Sequence, residues 1–163
     1  MLKVRICAVI LTAVVVIHCG TVFAAGTPVD FSKITVNGVA IGNTPAQVAK
    51  SLGAPRRQVP LYLEYRNSTP LGRVTVELSK DKKLVNWVRN GSTLAVSGHK
   101  VLQAGDPASK IGKVFDNSIE HEVTTKLDST DYVYKQSGTI LVVVVKANKI
   151  AGFMFGSGWT KDQ

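Results

Sequence analysis

The clearest periodic signal lies in residues 73–78, where Val74, Val76 and Leu78 alternate with Arg73, Thr75 and Glu77. A period of two predicts a strand with one face covered and the other in water. The flanking runs 61–66 and 84–89 predict two further strands, joined to it by the polar turns 67–72 and 80–83. Upstream, Ile34-Thr35-Val36 and Val39-Ala40-Ile41 flank a turn at Asn37-Gly38. Between these segments the pattern changes to a helical one. Thr44 is suited to the N-cap, Pro45 to the first helical position, and Gln47 to the third position of a capping box. Val48 and Leu52 fall on one face, and Gly53 and Pro55 end the helix. Its length of about nine residues is too short to be stable without tertiary packing.

The order of elements recurs. The stretch GNTPAQVAKSLGAP beginning at Gly42 has a weaker echo, GDPASKIGKVF, beginning at Gly105. At this spacing Gly42 aligns with Gly105, Asn43 with Asp106, Val48 with Ile111, Lys50 with Lys113, and Leu52 with Phe115. Three apolar runs again follow, at 132–135, 140–146 and 149–155. The reading is an α+β fold: a tandem repeat of a short helix plus a three-stranded antiparallel sheet, forming one layered helix-on-sheet domain. Module 1 spans 34–93 and module 2 spans 94–163. The matched positions are chemically generic, and chance similarity is the alternative.

Setting the strands of the modules in phase places Val74, Val76 and Leu78 against Ile140, Val142 and Val144, all under the helices. Leu141, Val143 and Val145 then face outward. The same phase puts Trp87 and Arg89 outside in the first module and Phe153 and Phe155 outside in the second, joined by Tyr62, Glu64, Arg66, Tyr132 and Tyr134. An apolar and aromatic face rimmed by arginine and glutamate has the composition of a protein-binding surface. Two alternatives stand beside it: the run 140–145 is buried on both faces, or it is a self-associating edge that makes a homodimer.

The N-terminus changes what counts as the domain. Lys3 and Arg5 precede the apolar run 6–17, and Val22-Phe23-Ala24 supplies small residues after it, which reads as a secretory signal peptide cut after Ala24. Residues 25–33 form a loosely held lead. Cys7 and Cys19 leave with the signal, so disulfides and thiol chemistry drop out. A lipid anchor at Cys19 is disfavoured by His18, because such signals carry a small residue there. Removing Lys3 and Arg5 from the 20 basic residues leaves 18 against 11 acidic ones, a formal charge of +7. This favours acidic partners, whether an acidic protein, anionic lipid or a cell-wall polymer. Nucleic acid is excluded by export, which ends in the periplasm or outside the cell.

The elements carry a resemblance. Ile41-Gly42-Asn43-Thr44, Leu52-Gly53-Ala54-Pro55 and the tyrosines 62 and 65 resemble the repeat of the β-lactamase inhibitory protein family. They are also similar to the SmpA/OmlA domain of a small outer-membrane assembly lipoprotein. The second copy, 105–115 with Tyr132 and Tyr134, lacks the Leu-Gly-x-Pro ending. The resemblance implies a non-enzymatic protein-binding module, an inhibitor or neutraliser of another protein, with an envelope assembly or maintenance factor as the alternative.

Nothing in the sequence asks for catalysis. His99 falls in a turn, and in Glu120-His121-Glu122 neighbouring side chains alternate faces and cannot converge on one ion. Asp128 and Asp131 lie in a polar loop with nothing apolar to raise a pKa. No phosphate-binding glycine loop or nucleophile elbow is present. No catalytic residue, metal site or cofactor is expected.

Overall fold

The structure is a computed structural model that describes residues 29–115 and 119–158. The segment read as a signal peptide, Cys7, Cys19 and Trp159 lie outside the described residues.

The chain opens with a single 3-10 turn (Phe31–Lys33) and strand β1 (Ile34–Val36). Helix α1 (Pro45–Leu52) follows, capped as its sequence predicts. The Thr44 hydroxyl accepts from the Gln47 amide while the Gln47 side chain accepts from the Thr44 amide, and Gly53 ends the helix at φ 76°. Next come β2 (Arg57–Val59), β3 (Tyr62–Thr69), β4 (Gly72–Leu78) and β5 (Val85–Gly91). A hairpin, β6 (Thr93–Val96) and β7 (His99–Gln103), leads to a 3-10 turn (Ala108–Lys110) and α2 (Ile111–Val114). The described chain ends with β8 (His121–Thr125), β9 (Thr130–Gln136), β10 (Thr139–Lys146) and β11 (Lys149–Ser157).

These elements overturn the expected α+β tandem repeat of a helix with three strands. The protein is mostly β, and four strands from each half of the chain form a single eight-stranded antiparallel sheet ordered β2-β3-β4-β5-β11-β10-β9-β8. A second sheet, β1-β6-β7, has three strands. Sequence reading missed β2 and β8 because neither alternates: every residue of β8 is exposed, and β2 has a single half-buried residue, Val59. It missed the β6–β7 hairpin as well, although that hairpin alternates in burial over 93–96. The second helix is a remnant. Pro107 makes no side-chain cap, and the Asp106 carboxylate instead accepts from the Gln103 amide at 3.0 Å and from Lys110 at 2.7 Å.

One face of the large sheet is buried under α1, α2 and the small sheet. Leu63, Val74, Val76, Val88, Leu141, Val143, Phe153 and Phe155 meet Ile34, Val36, Val48, Leu94, Leu102, Ile111 and Phe115 in one continuous core. The segment from Val29 belongs to it and is not a loose lead. Phe31 is buried, its amide donates to Gln136 Oε1 at 2.8 Å, and Gln136 Nε2 donates to the Val29 carbonyl at 3.1 Å.

Asn37 joins the layers. It holds a left-handed φ of 53°, which asparagine tolerates better than most residues. Its Oδ1 accepts from the amides of Ser92 and Thr93 at 2.8 and 2.9 Å, where β5 gives way to β6. Gly91 lies beneath the same turn, and a Cβ there would overlap Val36.

Candidate partner-binding cleft

The face of the large sheet turned away from the helices carries the candidate site. Register decides which side chains reach it. Trp87 pairs with Glu77 and Gly156, Arg89 with Thr75, Tyr62 with Glu77, and Glu64 with Thr75. The first-half expectation therefore stands for the face, since Val74, Val76 and Leu78 are core and Trp87, Arg89, Tyr62 and Glu64 are on the other side.

In the second half the phase is inverted. Leu141 pairs with Phe155 and Tyr134, and Val143 pairs with Phe153 and Tyr132. Leu141, Val143, Val145, Phe153, Phe155 and Tyr134 are all core residues, with Tyr132 packed partly against them. Phe153, Phe155, Tyr132 and Tyr134 are thus removed from the expected binding face, and Ile140, Val142, Val144, Val133 and Met154 take their place; Ile140 and Val144 are themselves buried and the other three half-buried, so the run 140–145 comes close to the alternative reading of a strand buried on both faces. The cause is a slip of one residue in aligning β10 with β4, which moves every side chain of a strand to the other face. The uniformly apolar run 140–145 contains no polar position to fix its phase.

Trp87 is the wall of this face, outside the core but only 9% exposed. Its indole lies across Gly156, where an added Cβ would overlap the ring, so the absence of a side chain at Gly156 makes the seat. Arg89 stands over the indole with its Cζ 5.0 Å from the ring centre, and its Nη2 donates to Glu77 Oε2 at 3.1 Å. The guanidinium is thereby held by stacking and by an ion pair at once.

Beside this pair lies a cleft of about 350 Å³, floored by Val133, Ile140, Val142 and Met154 and bounded by Trp87 and Arg89. Its far rim comes from β8 and β9, where Lys135 donates to Glu122 at 2.6 Å and Lys126 bonds Asp131. Hydrogen bonding to Glu122 raises the pKa of Lys135, and the bond from Lys146 lowers that of Asp128 just beyond. The floor is apolar and the rim is zwitterionic. Such a site accommodates an aliphatic or aromatic group flanked by charges of either sign, within the size range of pockets that take one.

Tyr62 and Arg66 are exposed at a distance from the cleft, on β3. Glu64 is paired with Arg57 at 4.0 Å, and none of the three lines the cleft. Val133, Val142 and Met154 were missed, although a correct phase for β10 would have found Val142. Among the described residues, no group of three or more His, Cys, Asp or Glu side chains is placed to hold a metal ion. No helix among them is long and apolar enough to cross a membrane.

The chain matches no described protein family and no curated protein. Solved structures similar to it include two of bacterial proteins. One is a DUF4309 family protein, YjgB, of Bacillus subtilis, at 17% identity and a TM-score of 0.48, covering 74% of this chain and 83% of that one. The other is a cysteine-rich secretory protein of Staphylococcus aureus, at 14% identity and a TM-score of 0.44, covering 72% of this chain and 44% of that one.

Proposed function

We propose that this is an exported, non-enzymatic binding protein that holds a protein partner on the cleft face of its eight-stranded sheet. The observation that carries the reading is the joint fixing of Trp87 and Arg89 beside an apolar floor. Trp87 is already only 9% exposed and acts as the support, while Arg89, held over it by both stacking and an ion pair, loses little side-chain entropy on binding and is of a residue type that dominates binding energy at protein interfaces. The basic segment and apolar run at 3–17 support export, and the resemblance of 41–55 to inhibitory-protein repeats favours neutralisation of the partner. The charge of +7 after cleavage favours an acidic one.

The test is affinity capture from envelope extract and culture supernatant, run in parallel on the parent protein and on Arg89→Ala and Met154→Glu. A single stoichiometric protein retained by the parent, and lost by both variants at unchanged melting temperature, supports the reading. Equal retention by all three, or recovery only of lipid or wall polymer eluting steeply with salt, overturns it in favour of an envelope factor.

A further inference from the structure

The two ends of the large sheet are built differently. At one end β2 has three residues set between Pro55 and Pro60, with Arg57 as its first residue and Arg56 just before it, features that discourage another strand from adding. At the other end β8 is five residues long, contains no proline, pairs with β9 without a bulge and is exposed at every position.

The hydrogen-bond phase of β8 is fixed by its neighbours. The Lys135 amide donates to the Glu120 carbonyl at 3.0 Å and the Lys126 amide to the Ser129 carbonyl at 2.7 Å. In an antiparallel ladder the bonded residues alternate, so Glu122 and Thr124 also direct their backbone groups to β9. His121, Val123 and Thr125 therefore direct theirs to the open side.

We infer that this edge pairs with the same edge of a second copy, antiparallel and centred on Val123, to form a dimer with one continuous sheet. In that register His121 faces the copy's Thr125 and Val123 faces its own counterpart, so every open backbone group of β8 finds a partner. Glu120 then faces the copy's Lys126, whose ammonium pairs with Asp131 in its own chain and is exposed enough to take a second carboxylate, and symmetry repeats that attraction. Centring on Glu122 would oppose two glutamates and set Thr125 against Ile119, outside the strand; centring on Thr124 would bring Glu122 to the copy's Lys126 but set His121 against Leu127, in the turn after β8. Only the Val123 register satisfies both backbone and charge. It also covers Val123, which is 53% exposed although it lies on the same side of the sheet as the core.

Sedimentation of the purified protein over micromolar to sub-millimolar concentrations tests this. The parent is expected to sediment as a concentration-dependent dimer. Val123→Pro removes an amide that β9 does not use, and should give a monomer with cooperative melting retained. Glu120→Lys, on an exposed side chain, should weaken the dimer about tenfold at low salt by placing like charges opposite one another, with high salt recovering part of the loss. A parent that is monomeric throughout, or a dimer insensitive to Glu120→Lys and to a folded Val123→Pro, overturns the inference. The two readings fail separately, because partner capture is scored on Arg89→Ala and Met154→Glu, on β5 and β11, and dimerisation on β8 and its flank.

Discussion

Replacing Gly156 by alanine would put a methyl group into the indole of Trp87, so the ring must move or the strand must bend. A cost of about 1–3 kcal/mol is expected from overpacking. A thermal melt reports that cost, and a shift in tryptophan emission reports displacement of the ring. Phe153 has the opposite character: it is fully buried, and Phe153→Ala should cost about 3–5 kcal/mol in a urea titration. A loss below about 1 kcal/mol would return Phe153 to the surface, where its sequence context first suggested it. Tyr134 is stacked on Phe115 at 4.5 Å and buried, and that burial pushes its pKa up to about 12. The folded state thus favours the neutral phenol. Stability is therefore untouched by this group below pH 10 and falls, by a few kcal/mol at most, as pH rises through 12, because the phenolate is penalised by burial. Tyr134→Phe should be flatter than the parent across that window when melting is followed against pH. Residue chemistry of this kind was legible where polar and apolar positions alternate. The Thr44–Gln47 cap, the face of β4 and the outward Trp87 and Arg89 are all local patterns. The inward Phe153 and Phe155 were not, because the face of β11 is set by pairing with β10, whose own sequence is apolar at every step.

Elements add constraints that no single segment contains. Asn37 spans from the β1 turn to the start of β6, and its side-chain oxygen satisfies two backbone amides more than fifty residues away. Asn37→Ala strands those amides in a half-buried site and places alanine at positive φ, so a loss of about 2 kcal/mol is expected from denaturant unfolding. A change within 0.5 kcal/mol would show that water replaces the side chain. The turn at Asn37-Gly38 could be read from sequence, but its distant partners could not. The same holds for β2 and β8, edge strands whose polar residues look like loop until a neighbour supplies the ladder. Bulges compound the difficulty. The β10–β11 register shifts at Val144/Val145 and the β4–β5 register at Glu77/Leu78, so a constant spacing between halves cannot track the faces.

For the whole molecule, the central fact is the seam between β5 and β11. Val88 pairs with Phe155 and Trp87 with Gly156, so the middle of the sheet joins residues far apart in the chain. Both halves also contribute to one core. A chain stopped at Asn148 loses β11 and with it the neighbour of both β5 and β10, and should show no cooperative urea transition by circular dichroism. A sharp transition in that fragment would mean that the first half is a folding unit by itself. The seam also bears on how the chain is made. In a polypeptide that emerges from its N-terminus first, β5 has only β4 beside it, and its other edge stays open until the last described strand arrives. Helix α1 and β2 to β5 can gather early, but the cleft, whose wall stands on Gly156 and whose floor includes Met154, exists only once β11 has been made. On the proposed export route the proposed binding face would be incomplete on the side of synthesis until β11 had crossed.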